Sequence, residues 1–131
     1  MVRFEYRHFP FIGPESIQAA AAVECANEQG QFWQFHDTIF ANQRGENQGA
    51  FHEVALKAFA AELDLDEAEF ESCLDSERYD SIVQADLQEA RERGVGSTPT
   101  VFINGQIVEG LATFERYQSL IEAELAALQT P

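Results

Sequence analysis

The sequence predicts an α/β fold in which one N-terminal strand precedes a long block of helices, a β-hairpin and a final helix. Residues 2–9 alternate with the period of two that is typical of a half-buried strand. Residues 15–93 instead carry apolar side chains at helical spacings of three and four. Asn104-Gly105 separates two short strand-like runs, which is a strong hairpin signal. The length of 131 residues suits one domain, so we predict a single domain over residues 1–131.

The first element is predicted to be a strand over residues 2–9. Its side chains point alternately to two sides, and the aromatic residues on one side predict one buried face. The side chains of that parity are Val2, Phe4, Tyr6 and His8. Pro10 has no backbone N–H to donate to a neighbouring strand, so it ends the element.

Four to five helices are predicted over residues 15–93. Pro14 suits the start of the first helix and Gly30 suits its end, while the alanine run between them has high helix propensity. Asp66 suits an N-cap, because its carboxylate can accept a hydrogen bond from the first turn of a helix. The predicted helices span residues 15–28, about 31–42, about 50–63, a short stretch after Asp66, and about 77–93.

The C-terminal part, residues 95–128, is predicted to form a loop that contains Pro99, a β-hairpin and a helix. The two strands of the hairpin are predicted over Thr100–Ile103 and Gln106–Glu109. Thr113 suits the N-cap of the last helix, which extends to about residue 128. The predicted buried face of this helix consists of Phe114, Tyr117, Leu120, Ile121, Leu125 and Leu128.

The charge of the chain argues against two classes of partner. There are 23 acidic and 8 basic residues, which give a net charge of −15. Such a surface repels phosphate backbones and anionic lipids, so we expect no binding to nucleic acid or to a lipid surface. No apolar run approaches the roughly 18 residues of a transmembrane helix, so we also predict no membrane span.

Several motifs, taken in order, resemble those of the DsbA-like proteins, which are thioredoxin-fold thiol–disulfide oxidoreductases with a helical insertion. In the first part of the chain these motifs are Phe9-Pro10, an alanine-rich helix with Cys25, Gln29-Gly30-Gln31-Phe32-Trp33, His36-Asp37 and Phe70-x-x-Cys73-Leu74. In the last part, Ser97-Thr98-Pro99-Thr100 leads into the hairpin and the final helix. The resemblance covers nearly the whole chain and implies a thioredoxin-like fold whose helical insertion spans residues 15–93.

The resemblance implies that Thr98 and Pro99 bind the substrate. The family carries a cis-proline loop at the entrance to its antiparallel strand pair, so the Thr98–Pro99 bond is expected to be cis and the backbone of Thr98 available to an extended peptide. The implied partner is a protein or peptide thiol or disulfide. The implied chemistry uses no cofactor, because thiol–disulfide exchange takes place between sulfur atoms alone.

One family feature is missing from the sequence. Members of the family begin with a strand and a helix that starts with Cys-x-x-Cys, whose first thiolate attacks the substrate. These 131 residues contain no Cys-x-x-Cys, and the chain opens on the 2–9 segment without a signal peptide. We therefore expect a fold that is incomplete at its N-terminus, with at least about 20 residues preceding Met1, and no catalytic residue within this chain.

Cys25 and Cys73 are the two cysteines, and each lies in a predicted helix. Their residue context is compatible with buried free thiols, a structural disulfide or a redox pair. A zinc site is not expected, because the cysteines and histidines lack the spacing of zinc ligands. Some similar proteins have a structural bridge at such positions, so the resemblance implies a disulfide. A disulfide favours the periplasm or cell surface, whereas free thiols favour the cytoplasm.

His8 and Trp33 are predicted to be structural residues. His8 stands at the end of the first strand, and its alternative role is to tune a nearby thiol. Trp33 lies in an aromatic-rich helix and is predicted to pack between helices rather than to bind a ligand.

Two functions are compatible with these observations. The first is a thiol–disulfide oxidoreductase of the DsbA-like family, present here as a truncated chain that lacks the redox dithiol and is inactive alone. The alternative is a redox-inactive peptide-binding or interaction module that uses the Pro99 loop or an open sheet edge. Because the missing strand would lie between the 2–9 strand and the Thr100 strand, we also expect self-association through open sheet edges.

Overall fold

The computed structural model describes residues 1–128, which contain six helices and two strands. The chain divides into two compact units: the first is Met1–Glu89, and the second begins at Ala90. The elements are α1 Pro14–Glu28, α2 Phe32–Ala41, α3 Glu53–Glu62, α4 Glu67–Asp75, α5 Asp80–Glu92, β1 Thr100–Ile103, β2 Gln106–Glu109 and α6 Phe114–Ala127. In the part of the chain that the structure describes, no helix is both long enough and apolar enough to cross a membrane.

The helices agree with the predicted ones except at two starts. α3 begins at Glu53, later than predicted, because His52 is its N-cap and accepts a hydrogen bond from the Ala55 N–H through Nδ1 at 3.2 Å. α5 begins at Asp80, also later than predicted. The reason is Glu77, whose φ of 52° lies in the left-handed region and cannot continue a right-handed helix.

The two N-caps predicted from the sequence are confirmed. The Asp66 carboxylate accepts a hydrogen bond from the Glu69 N–H at 2.9 Å at the start of α4. The Thr113 hydroxyl accepts one from the Arg116 N–H at 3.3 Å at the start of α6. In both cases a side-chain oxygen satisfies one of the backbone donors that a helix start leaves unpaired.

The predicted strand over residues 2–9 is wrong. Among residues 1–128 the sheet contains β1 and β2 alone, so the 2–9 segment has no partner strand there. A strand exists only where its backbone groups pair with those of a neighbour, and side-chain alternation cannot supply that neighbour. Residues 2–7 are exposed, and burial begins at His8, which is 4% exposed.

The core of the first unit forms around α1. Its buried alanines, residues 19–22 and Ala26, have small side chains that allow neighbouring helices to approach closely. α2, α3 and α4 all contact α1. The largest fully buried side chains are Phe35, Phe70, Leu56, Val83, Cys25 and Cys73.

A disulfide bond between Cys25 and Cys73 joins α1 to α4 inside this core. The two cysteines are 2% and 1% exposed and are separated by 48 positions in the sequence. A second, polar link supports the same pair of helices. The side-chain amide of Gln29 donates to the Asp66 carbonyl at 3.1 Å and accepts from the Asp66 N–H at 2.8 Å.

The second unit contains the β-hairpin with the predicted bounds. β1 and β2 are antiparallel, and their register pairs Ile103 with Gln106 across the turn. Asn104 and Gly105 occupy the turn with φ values of 47° and 88°. Two consecutive positive φ values are the geometry of the type I′ turn, whose twist matches that of the strands it connects.

α6 contacts β1 through a face that is only half buried. The prediction of a buried face on this helix is therefore correct only in part. The half-buried side chains on this face are Tyr117, Leu120, Ile121 and Leu125. Phe114 and Leu128 are each 75% exposed, which contradicts their predicted burial. Both lie at the ends of α6, which at about 21 Å is longer than the roughly 13 Å strand that it contacts.

Reduction of the Cys25–Cys73 bond is expected to lower the free energy of unfolding by about 4 kcal/mol, because the unfolded chain then regains the entropy of a long closed loop. Urea unfolding of the wild-type chain with and without dithiothreitol measures this change. The C25A/C73A variant is the control, since reductant must leave its stability unchanged. A wild-type stability that does not respond to reduction of the bond would contradict the prediction.

Candidate functional site

The loop before β1 contains Thr98 and Pro99, the residues predicted to bind substrate. Both are exposed, and the peptide bond between them is cis. The loop is anchored at two points. The Pro99 carbonyl accepts a hydrogen bond from the Gly110 N–H at 2.9 Å, and the Thr100 hydroxyl donates to the Ser97 carbonyl at 2.7 Å. A short, anchored loop therefore presents Thr98 and Pro99 at the start of a strand.

The edge of β1 that faces away from β2 has no partner strand in the described part of the chain. In an antiparallel pair, alternate residues direct their N–H and C=O groups away from the partner. An extended peptide pairs with groups of this kind when it adds a strand to a sheet. On one face of β1, the guanidinium of Arg93 lies 4.0 Å from the centre of the Phe102 ring, which is cation–π geometry.

The sequence-predicted site residues fall in different units. Cys25 and Cys73 belong to the first unit, where the structure brings them together, and Thr98 and Pro99 belong to the second. Because both cysteine sulfurs are in a buried bond, neither is a thiolate that can attack a substrate.

A polar network around His8 was not predicted from the sequence. The His8 Nε2–H donates to the Glu24 carboxylate of α1 at 2.8 Å, and the His8 backbone N–H donates to the Asp86 carboxylate of α5 at 3.0 Å. Arg7 donates to the other oxygen of Asp86 at 3.0 Å. The sequence does contain one signal for this network, since Asp86 lies on the buried stripe of α5 next to Leu87.

Two pKa values are shifted at this network: that of Glu24 is lowered and that of the adjacent Tyr6 is raised. The hydrogen bond from His8 holds the pKa of Glu24 below its ordinary value of 4.5, because it favours the ionised carboxylate. Tyr6 is 37% exposed, and the partial removal of water around it raises its pKa, which the nearby negative charge of Glu24 raises further. Tyr6 packs edge-on against the His8 ring, with the two ring centres 5.3 Å apart.

An aromatic cluster extends from the 2–9 segment onto α2. Its rings are those of Phe4, Tyr6, Phe32, Trp33, His36 and Phe40. Trp33 lies 5.8 Å from Phe4 and 5.9 Å from Tyr6, but it is 47% exposed. The rings that contact Trp33 belong to α2 and to the 2–9 segment, and its role as an anchor between helices stays a prediction. Side-chain contacts of this kind hold the 2–9 segment in place of a strand ladder.

The helical unit and the Thr98–Pro99 loop before a hairpin and a helix define a protein of the thioredoxin-like class. The crystal structure of a thioredoxin-like oxidoreductase from Silicibacter pomeroyi DSS-3 superposes with a TM-score of 0.76 at 21% sequence identity. The match covers 92% of this chain and 67% of that one. The predicted thioredoxin-like fold is thus confirmed.

The family model described as Thioredoxin matches residues 1–123, so the chain belongs to the thioredoxin family. A probable disulfide bond formation protein D of Bacillus anthracis is 30% identical over 128 residues, which are 95% of this chain and 58% of that protein. The Na(+)/H(+) antiporter NhaA 1 of Salinispora arenicola is 32% identical over 127 residues, 95% of this chain. The predicted DsbA-like branch of the family is confirmed.

The chain spans only part of these relatives. It covers 58% of the disulfide bond formation protein and 19% of the antiporter. The similarity to the antiporter is therefore confined to a small share of that protein, and it gives no information about ion transport by this chain.

The Glu24→Gln variant is expected to be less stable than wild type by about 1 kcal/mol at pH 7, the difference between a charged and a neutral hydrogen bond. Since the pKa of Glu24 is lowered by folding, its contribution is present above pH 4.5 and is lost as the pH falls through the folded-state value. Denaturant unfolding from pH 7 to pH 3 measures the difference in free energy of unfolding between wild type and the variant.

The E62Q variant, at an exposed residue of α3, controls for the loss of one carboxylate. If the difference in free energy of unfolding between wild type and E24Q stays constant down to pH 3, the ionised Glu24 carboxylate does not stabilise the fold through its hydrogen bond with His8.

Proposed function

We propose that the chain belongs to a thiol–disulfide oxidoreductase that acts on protein or peptide substrates. The match of residues 1–123 to the thioredoxin family carries the proposal. The similarity to a protein whose name describes disulfide bond formation supports it, because that similarity covers 95% of this chain.

Thr98 and Pro99 are the proposed substrate-binding residues. They are exposed on an anchored loop, and the β1 strand that follows has an outer edge without a partner in residues 1–128. An extended substrate segment would pair with backbone groups along this edge. Backbone pairing gives affinity with little dependence on side-chain identity, which suits an enzyme that acts on many proteins.

The redox dithiol is proposed to lie outside these 131 residues. In exchange, a thiolate attacks one sulfur of a substrate disulfide and forms a mixed disulfide, while the other sulfur leaves as a thiolate. The chain has no Cys-x-x-Cys, and its two cysteines are bonded to each other in the core. The chain alone is therefore proposed to be inactive. The disulfide supports an oxidising compartment, such as the periplasm or the cell surface.

A redox-inactive peptide-binding module is the second candidate. The open edge of β1 next to the exposed Thr98–Pro99 loop favours it, because strand addition needs no thiol. The two candidates share the same binding surface and differ in whether a dithiol acts on the bound peptide.

Insulin reduction by dithiothreitol distinguishes the two candidates. The chain alone is expected to add nothing to the background rate, because it has no accessible thiolate. A chain extended at its N-terminus by a strand and a Cys-x-x-Cys helix is expected to be active. In that protein, Pro99→Ala is expected to lower the rate by roughly tenfold to a hundredfold through loss of substrate positioning. S119A, on exposed α6 surface, is the matched control.

Activity of the 131-residue chain that disappears in C25A/C73A would assign the redox pair to Cys25 and Cys73 and overturn the proposal. An extended chain that binds unfolded peptide without reducing insulin would favour the binding module.

Self-association through the open edge of β1 is also proposed, since an exposed strand edge pairs readily with another chain. The net charge of −15 opposes association, so added salt is expected to promote it by screening the repulsion. Sedimentation velocity at several protein concentrations in low and high salt measures the effect. A single monomeric species under all these conditions would refute it.

A further inference from the structure

A cavity of about 360 Å³ lies in the first unit, where the polar loop of residues 43–49 meets α3. Its volume is near the lower end of the roughly 300–1,000 Å³ that is usual for small-molecule sites. The side chains that matter for its chemistry are Asn42, Arg44, Gln48, Ala50, Ala55 and Phe59. None of them belongs to the Thr98–Pro99 loop or to the disulfide, so the cavity is independent of the proposed thiol chemistry.

Two polar side chains that line the cavity, Arg44 and Gln48, have no hydrogen-bond partner among the described residues. The Arg44 guanidinium makes no hydrogen bond or ion pair with residues 1–128, although the chain has 23 acidic residues and 8 basic ones. Other arginines of the chain do find carboxylates, as Arg7 and Arg78 show. The Gln48 side-chain amide likewise has no hydrogen-bond partner within the described residues.

Other side chains that line the cavity are apolar. Phe59 is packed against the core, and the centre of its ring lies 6.5 Å from that of Phe35. Ala50 and Ala55 have short side chains, which leave room beside the ring for an apolar group. The cavity thus combines one cationic group with an apolar wall.

Hydrogen bonds to other elements hold the loop that forms the cavity. The Glu15 carboxylate of α1 accepts from the Gly49 N–H at 2.6 Å and from the Phe51 N–H at 3.2 Å. The Asn47 amide donates to the Ile12 carbonyl at 3.3 Å. A loop that is fixed before binding loses less entropy when a ligand arrives.

We propose that this cavity binds a small organic monocarboxylate, with the carboxylate on Arg44 and Gln48 and an aromatic or aliphatic group against Phe59. The planar guanidinium matches a carboxylate with two parallel hydrogen bonds. Of the described residues that line the cavity, Arg44 alone is basic, and the chain is strongly acidic. These charges favour a monoanion over a more highly charged phosphate.

Calorimetric titration of the full chain with N-acetylphenylalanine, whose carboxylate is ionised at pH 7, tests the proposal. The neutral N-acetylphenylalanine amide is the matched ligand control and is expected to bind at least about tenfold more weakly. Arg44→Ala is expected to weaken binding of the acid by at least about tenfold. R44K is expected to weaken it less, because lysine keeps the positive charge but cannot make the two parallel hydrogen bonds of a guanidinium.

R116A is the matched protein control, since it removes one exposed arginine of α6 and the same unit of charge. It is expected to change the affinity by less than about twofold, because α6 does not line the cavity. Ala55→Leu fills the apolar part without removing Arg44, and it is expected to abolish binding; circular dichroism checks that each variant folds. Absence of saturable binding to wild type, equal affinity for acid and amide, or equal effects of R44A and R116A would overturn the proposal.

Discussion

The close, covalent junction of α1 with α4 organises the first unit. Small alanine side chains let the other helices approach α1, and the Cys25–Cys73 bond joins α1 to α4 with 5.8 Å between the two Cα atoms. Phe35 and Phe70 pack beside it with ring centres 5.3 Å apart. The cysteines contribute to stability in two ways: their side chains are buried in the apolar core, and their bond closes a long loop in the unfolded chain.

α1 also organises the N-terminal segment. Glu24 of α1 binds the His8 side chain, and Asp86 of α5 binds the backbone of the same residue and the side chain of Arg7. These contacts give residues 7 and 8 fixed positions without any strand partner among residues 1–128. The buried charges are tolerated because each is paired and hydrogen-bonded, which offsets the cost of removing it from water.

The same disulfide that stabilises the first unit also limits what this chain can do chemically. Both cysteine sulfurs are buried and bonded to each other, so neither is a free thiolate in this structure. The surfaces left for function are of different kinds. One is the Thr98–Pro99 loop with the open edge of β1, which suits an extended peptide. The other is the Arg44 cavity, whose charge and apolar wall suit a small anion.

The sequence alone determined the features that arise from neighbouring residues. The first helix was predicted over residues 15–28 and is observed over Pro14–Glu28. This helix, the Asp66 and Thr113 caps and the Asn104-Gly105 turn were predictable because periodicity, capping and φ preferences act over a few positions. The ordered motifs likewise indicated the thioredoxin family, and the family match bears this out.

Contacts between distant residues were decided by the tertiary structure. The alternation of residues 2–9 predicted a strand, but a strand needs a neighbour that these residues do not have within the described chain. Residue context left the state of Cys25 and Cys73 open until the structure placed them in one bond. The burial of His8 between Glu24 and Asp86 joins three elements, and no local pattern contains all three. Local preferences are encoded in short stretches of sequence, whereas pairing and burial follow from which stretches the fold brings together.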